Sequence, residues 1–234
     1  ALDDRLDEPL AAARDERVEV AVEGHQVARG GAGGVGDELD AVAREPRALE
    51  RAVRRAQLPF AVSQGFSPHM RIAFGAALPV GVGGTAEIFD LFLTDYVPAP
   101  RALATLQEAS PTDLYPTEAR YIEARDAAAS VALPVSTYEV VLSEAPRAVV
   151  VPEAITVVRK KKEKTLVPSD FLVGPVSLDG ATVRFSLEAK PTGSLRADAF
   201  ARELVRETVA AGHASEDLRP ITFLRVDQRA ADGQ

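Results

Sequence analysis

The sequence contains no cysteine and no tryptophan, and it is poor in histidine and methionine. Aromatic side chains make up 6% of its 234 residues. Without thiols the chain cannot form disulfides or thiolate zinc sites, and it cannot ligate an iron–sulfur cluster with its own side chains. The three histidines, His25, His69 and His213, lie far apart and show no metal-binding spacing. We therefore expect no metal and no resident cofactor in this chain.

Long apolar runs are also absent. No stretch of about 18 apolar residues occurs, and residues 1–5 lack the basic and then apolar pattern of a secretion signal. We therefore expect a cytoplasmic protein that has no membrane partner. With 46% hydrophobic residues, the chain has enough apolar surface to bury one large core or two small ones.

Charge is distributed unevenly along the chain. The formal net charge is −8, but residues 1–45 hold twelve acidic and five basic side chains, which leaves 23 acidic and 22 basic side chains for the rest. Because the remainder is nearly neutral, local clusters of cations matter more than the total charge. The glycine cluster at residues 30–36 precedes no Gly-Lys-Ser or Gly-Lys-Thr, so it predicts a flexible turn in preference to a phosphate-binding loop.

From Arg47 onward the sequence predicts regular elements. Arginines occupy one side of a predicted helix that Pro59 ends near residue 57, and apolar residues occupy the other side, at Leu49, Ala52, Val53 and Ala56. Strand patterns follow at residues 60–63, 71–74, 87–94 and 120–124, with a helix at 100–109. Further strand patterns lie at residues 137–142, 155–167, 182–187 and 221–226, with a helix capped by Asp198 and Gly212.

The order of these elements predicts an α+β protein made of two tandem ferredoxin-like (βαββαβ) domains. The first domain, residues 46–125, is incomplete at its N-terminus unless the alternating residues 17–23 supply the opening strand. The remaining parts are a linker at residues 126–134, a second domain at residues 135–228 with 145–154 as its first crossover, and a tail at residues 229–234.

Three stretches carry a resemblance to a known family: the arginine-rich residues 47–56, the turn Ser63-Gln64-Gly65-Phe66-Ser67-Pro68-His69, and residues 71–81. They resemble the radical-SAM-linked family of unknown function (the DUF2344 type), and a weaker likeness extends to about residue 228. Members of that family are fused to, or encoded beside, a radical SAM protein, often near genes for ribosomal proteins and an RNA-processing nuclease. The resemblance implies a radical SAM protein as partner, with RNA or the ribosome as a further partner. It also implies that the iron–sulfur cluster and S-adenosylmethionine are bound by the partner.

Two departures from the family pattern stand out. Ser67 replaces the usual Asn and Met70 replaces a usual Pro, which are small changes that keep the turn chemistry at Pro68. Upstream, the basic aromatic strand and the Leu-Ser-His start of the first helix are missing. We therefore hypothesise that residues 1–45 are an atypical segment, disordered or mistranslated, which the coding DNA tests directly.

The turn after the first helix is a candidate functional site. His69 follows a Gly-Phe-Ser-Pro turn and is a tempting catalytic group, but the simpler interpretation is a residue that packs at the edge of a turn. No sequence feature supplies an orienting acid, so we assign no catalytic residue. The candidate functional residues of the turn are Ser63, Gln64, Gly65, Phe66, Pro68, His69 and Arg71.

A second candidate site is cationic. In an extended segment a basic run cannot be buried entirely, so it predicts an edge strand or a protruding hairpin. Such a run either protects an edge against aggregation or contacts phosphates, jointly with arginines of the first helix. The candidate residues are Arg159, Lys160, Lys161, Lys162 and Lys164 in the run and Arg51, Arg54 and Arg55 in the helix.

These observations predict a non-catalytic accessory module that helps a separate radical SAM enzyme bind or modify RNA. Two alternatives remain. One is a stand-alone RNA-processing enzyme of ferredoxin-like fold, an idea based on fold analogy, and the other is a purely structural scaffold.

Overall fold

The computed structural model describes residues 16–23, 47–79, 81–123, 125–159 and 162–231. Within these ranges the chain is a mixed α+β protein, as predicted, with helices packed on two larger sheets. Each sheet has its own hydrophobic core, one in each half of the chain.

The first half contains a four-stranded sheet in the order β2-β4-β1-β5, and every neighbouring pair is antiparallel. This half of the chain contains β1 (Glu16–Glu23), α1 (residues 47–55), β2 (Ile72–Phe74), β3 (Gly83–Gly84), β4 (Glu87–Leu93), α2 (Ala99–Ala109) and β5 (Tyr115–Ile122). Of these strands, β3 belongs to the second sheet. The predicted opening strand is thus present, and β1 lies between β4 and β5.

Both helices of the first half cover one face of this sheet. The face carries Val18, Val20 and Val22 of β1, which alternate inward because successive strand residues point to opposite faces. The apolar stripe of α1 packs there as predicted through Leu49 and Val53. The helix ends where Gln57 adopts a left-handed φ of 54°.

The second half contains a five-stranded sheet in the order β3-β11-β6-β10-β9. Its elements are α3 (Ala129–Ala132), β6 (Val135–Leu142), β7 (Ile155–Arg159), β8 (Lys162–Leu166), β9 (Ser177–Asp179), β10 (Thr182–Glu188), α4 (Ala197–Ala210) and β11 (Pro220–Arg229). One face of the sheet is covered by α4 around the close ring pair Phe185 and Phe200, whose centroids are 4.7 Å apart.

The basic run does not form one long strand at residues 155–167. It forms a separate two-stranded hairpin in which β7 and β8 pair antiparallel and Arg159 lies opposite Lys162. Ile155 and Leu166 pack into the same core as α4, while residues 145–154 contain no helix. The predicted first crossover at residues 145–154 therefore contains no helix, and the hairpin that follows it packs on the second core.

Residues 75–79 and 81–84, which belong to the first half of the chain, reach the second sheet. Strand β3 follows the first half in sequence but pairs in parallel with Leu224 and Arg225 of β11, and Leu78 and Val82 pack against the second core. Strand β3, which comes from the first half of the chain, is therefore an edge strand of the second sheet, a pairing that the sequence did not predict.

Several local expectations need correction. Residues 60–63 form isolated bridges instead of a strand, with Phe60 opposite Leu93. Asp198 is not the N-cap of α4: that position belongs to Arg196, and Asp198 lies in the first turn. Gly212 follows the C-cap Ala211 with a positive φ of 74°. The proposed linker at residues 126–134 contains α3. The glycine cluster at residues 30–36 lies outside the described residues.

Candidate functional site

The turn at residues 63–69 projects from the first half and is closed by reciprocal hydrogen bonds. The Ser63 amide donates to the His69 carbonyl at 2.8 Å, and the His69 amide donates to the Ser63 hydroxyl oxygen at 3.0 Å. Below them, Val62 bridges Met70, whose side chain is buried in the first core. The base of the turn is therefore fixed to the sheet.

The tip of the turn exposes an aromatic ring. Phe66 has a relative exposure of 108% and is the most exposed large hydrophobic side chain that the structure describes. Gly65 precedes it with a φ of 140°, a backbone conformation that residues with a Cβ rarely adopt. Gln64, Ser67 and Pro68 are exposed as well. The turn thus displays its side chains instead of burying them.

His69 is exposed at the end of the turn. Within the described ranges its hydrogen bonds are made by the backbone and not by the ring, and the side chain is exposed. Arg71 follows on the sheet, where its guanidinium lies 4.2 Å from the centroid of the Phe92 ring. Among the described residues, no hydrogen bond of the His69 ring pairs it with a nucleophile.

The arginines of α1 point into solvent. Arg51, Arg54 and Arg55 are all exposed, and none of them forms an ion pair with another residue for which the structure gives a position. The Arg54 guanidinium lies 5.1 Å from the centroid of the Phe60 ring, a favourable cation–π contact that leaves its donors available. Among the described residues, these three exposed guanidinium groups have no ion pair, so this face of α1 is a positive surface.

Helix α4 provides the contrast. Arg202 lies 2.8 Å from the carboxylate of Asp198, and Arg206 contacts Glu203 and Glu207 at 2.5 and 2.7 Å. Burial raises the pKa of Asp198, but hydrogen bonding and charge from Arg196 and Arg202 outweigh it and hold the pKa below the ordinary value of 3.8. Arginines on α4 are therefore paired within their own helix, whereas Arg51, Arg54 and Arg55 of α1 have no ion pair with a described residue.

The cations of the hairpin lie in the other half of the molecule. Lys160 and Lys161 lie outside the described residues, and for Arg159 and Lys162 the strand backbone alone is described. Lys164 on β8 is exposed. The structure thus brings the turn and α1 together at Phe60, but the hairpin packs against a different core.

The described part of the chain contains at least two concave spaces. A space lined by Val140 and Phe185 in the second core is too small for water. A larger groove of about 550 Å³ lies between the ends of α1 and α2, with Arg55, Gln57 and Glu108 in its lining. Its polar, open character differs from the enclosed apolar pockets that bind small molecules. No group of three or more His, Asp or Glu residues in the described ranges could hold a metal ion.

Two ion pairs that involve buried arginines were missed by sequence reasoning. Arg17 of β1 lies 2.6 Å from Asp90 of β4, with side-chain exposures of 4% and 0%. Arg225 of β11, which is fully buried, pairs with Glu87 at the start of β4. A charged residue inside an otherwise apolar strand could have indicated such a pair, as Asp90 does within the sequence EIFDLFL of β4.

These features define a mixed α+β protein that presents an exposed aromatic turn beside a cationic helix. The chain belongs to a family described as an uncharacterized protein conserved in bacteria (DUF2344), whose model matches residues 45–196. The match includes α1, the turn and the hairpin, and the N-terminal segment lies outside it, as expected from the sequence. No protein with curated annotation matches the chain. Among the helices that the structure describes, none is long and apolar enough to cross a membrane.

Proposed function

We propose that this chain is an accessory module that helps a separate radical SAM enzyme bind or modify RNA. The observation that carries the proposal is the exposed positive face of α1, formed by Arg51, Arg54 and Arg55, which have no ion pair with any residue that the structure describes. Exposed guanidinium groups without carboxylate partners bind phosphates and release the counterions that surround a nucleic acid. In a chain with a net charge of −8, such a cluster is a local feature that the composition does not explain.

The module would consist of two ferredoxin-like units. Support comes from the strand orders: β2-β4-β1-β5 in the first sheet and β11-β6-β10-β9 in the second, both with antiparallel neighbours. If the four strands of each unit are numbered 1 to 4 along the chain, the first sheet has the order 2-3-1-4 and the second has the reverse order, 4-1-3-2. In both sheets strand 1 lies between strands 3 and 4. In the second unit the β7–β8 hairpin takes the place of one helix.

The proposed radical SAM partner rests on the likeness to radical-SAM-linked proteins and on the absence of cysteine from this chain. Three cysteine thiolates or more normally hold an iron–sulfur cluster, so the cluster and S-adenosylmethionine would be bound by the partner. This chain would contribute RNA binding and orientation. The hairpin cations, with Lys164 exposed on β8, provide a further phosphate-binding surface in the second half.

The proposal is tested by titrating the full chain into a labelled single-stranded RNA of about 16 nucleotides and repeating the titration at increasing salt. We expect affinity to fall steeply with salt. Replacing Arg51, Arg54 and Arg55 together with Gln should lower affinity at least tenfold. The binding constant of the variant should also depend less on salt. In a plot of its logarithm against the logarithm of the salt concentration, the slope should become less steep by about 0.7 for each phosphate that the variant no longer neutralises.

The matched control is the variant with Arg202→Gln and Arg206→Gln on α4, which removes cations that already have carboxylate partners. It should bind as tightly as the wild type. A parallel variant with Lys160, Lys161 and Lys162 changed to Ala measures the contribution of the hairpin. Absence of RNA binding by the wild type at low salt would refute the RNA-binding function. Failure to co-purify with a neighbouring radical SAM protein after nuclease treatment would refute the partnership.

A further inference from the structure

We infer that Phe66 is a stacking platform for an unpaired base, so that the surface formed by the turn and α1 selects single-stranded over duplex RNA. The inference rests on the proposed RNA-binding function and specifies which form of RNA this surface recognises. The sequence places Phe66 among the candidate functional residues of the turn but gives its ring no specific role.

Phe66 combines full exposure with an ordered backbone. A fully exposed phenylalanine gains nothing from burial in its own fold, yet its turn is braced by two hydrogen bonds between Ser63 and His69 and by the bridge below them. Pro68 restricts the backbone further. A ring presented on a pre-organised turn loses little conformational entropy when a ligand covers it.

Positive charge surrounds the base of the turn. Residues 47–74 contain five arginines and a single carboxylate. Arg54 lies against Phe60 on the helix-covered face of the sheet, and Arg71 lies against Phe92 on the opposite face. Cations therefore flank the base of the turn on both sides.

The ring and the cations belong to one continuous stretch of chain. Arg54 contacts Phe60, which lies six residues before Phe66, and Arg71 follows Phe66 by five residues. An aromatic platform near arginines can stack one base while the α1 guanidinium groups contact neighbouring phosphates. Gln64 and Ser67 beside the ring supply hydrogen-bonding groups for the base edge.

Duplex RNA does not offer this arrangement, because its bases are already stacked and its deep major groove excludes side chains. A ring at the end of a narrow turn then contributes nothing to affinity, whereas the arginines still contact phosphates. The inference is therefore specific: Phe66 affects single-strand binding, and the α1 arginines affect both forms.

The absence of tryptophan from the chain makes Phe66→Trp a unique fluorescence reporter. We expect a single-stranded oligonucleotide to quench the introduced indole and a duplex of the same sequence to leave it unchanged. Phe66→Ala should weaken single-strand binding by about tenfold and change duplex binding less than about twofold. Ile221→Ala, which removes an exposed apolar side chain from β11, is the control and should change neither.

The outcomes separate the two proposals. If Phe66→Ala binds single-stranded RNA normally while the triple α1 variant does not, the stacking role is overturned and the proposed function stands. If no variant and no wild-type protein binds RNA, both fail together. If the indole responds to a radical SAM protein in an RNA-free sample and not to RNA, Phe66 fits a protein pocket and the stacking role is likewise overturned.

Discussion

Arg225 of β11 holds the carboxylate of Glu87 at the start of β4 through two donors of its guanidinium. Its Nε donates to Oε1 at 3.0 Å and its Nη2 donates to Oε2. The arginine is fully buried, and the two residues lie 138 positions apart in opposite halves of the chain. This pair therefore couples the first sheet to the second at the same edge where β3 joins β11.

Removing the carboxylate of this pair should be costly. Glu87→Ala leaves a buried guanidinium without its counter-charge, and we expect the free energy of unfolding in denaturant to fall by about 3 kcal/mol. Adding Arg225→Met should restore part of the loss, because the buried charge is then gone. The exposed pair Arg184 and Glu139 is the control, and Arg184→Ala should cost less than about 1 kcal/mol. Equal losses in the two pairs would contradict the prediction.

Gly84 lies against the carboxylate of the same pair. A Cβ at this position would lie 2.1 Å from Oε1 of Glu87, far inside van der Waals contact. We expect Gly84→Ala to reduce stability by about 1–3 kcal/mol through displacement of the carboxylate. In the Glu87→Ala background the same substitution should cost little, since the clashing atoms are absent. A cost that stays the same in both backgrounds would show that the backbone, and not the carboxylate, requires glycine here.

The parts of the fold that the sequence predicted are those with local periodicity. In α1 the spacing of Leu49 and Val53 alone identifies the buried side, and α2 and β4 lie close to the predicted positions. The basic hairpin was predicted as one strand because no glycine or proline separates residues 155–159 from residues 162–166, so the sequence shows no interruption between the two strands. The pairing of β3 with β11 joins residues about 140 positions apart, and no local pattern indicates it.

The candidate site was predictable in position but not in exposure. Glycine and proline located the turn, since they favour its backbone conformations. The sequence could not show that Phe66 points into solvent, because an apolar residue is expected to be buried by default. Likewise, it could place Arg54 on the outer side of a helix but could not show that no described carboxylate neutralises it.

Asp90 should stabilise the segment at residues 126–129, which connects the two halves of the chain. Its Oδ2 accepts hydrogen bonds from Arg17 at 2.6 Å and from the Ala129 amide at 3.3 Å, and Arg17 also donates to the Asp126 carbonyl at 2.6 Å. Asp90→Ala removes the acceptor of both hydrogen bonds, so we expect a loss of about 3–5 kcal/mol and faster amide hydrogen exchange at Ala129.

The matched variant is Asp90→Asn, which keeps an oxygen acceptor for Ala129 but removes the charge opposite Arg17. It should destabilise the protein as well, while protection of the Ala129 amide should stay closer to that of the wild type. If the two variants expose Ala129 equally, the ion pair and not the amide hydrogen bond orders the start of α3.

Asp198 should make stability depend on acid pH. Burial raises its pKa, but Arg196 at 2.9 Å and Arg202 at 2.8 Å hold the pKa below its ordinary 3.8. A carboxyl group whose pKa is lowered in the folded state binds protons more tightly in the unfolded state. Its contribution to the free energy of unfolding is therefore fully present at pH values above its ordinary pKa, and it is lost as the pH falls through the folded-state pKa.

The Asp198 carboxyl group is partly exposed, so Asp198→Asn should lower the free energy of unfolding by only a few tenths to about 1 kcal/mol at neutral pH. In urea titrations the difference between wild type and variant should shrink as the pH drops below 3.8. A difference of the same size at neutral and strongly acid pH would show that the carboxylate charge is not its cause.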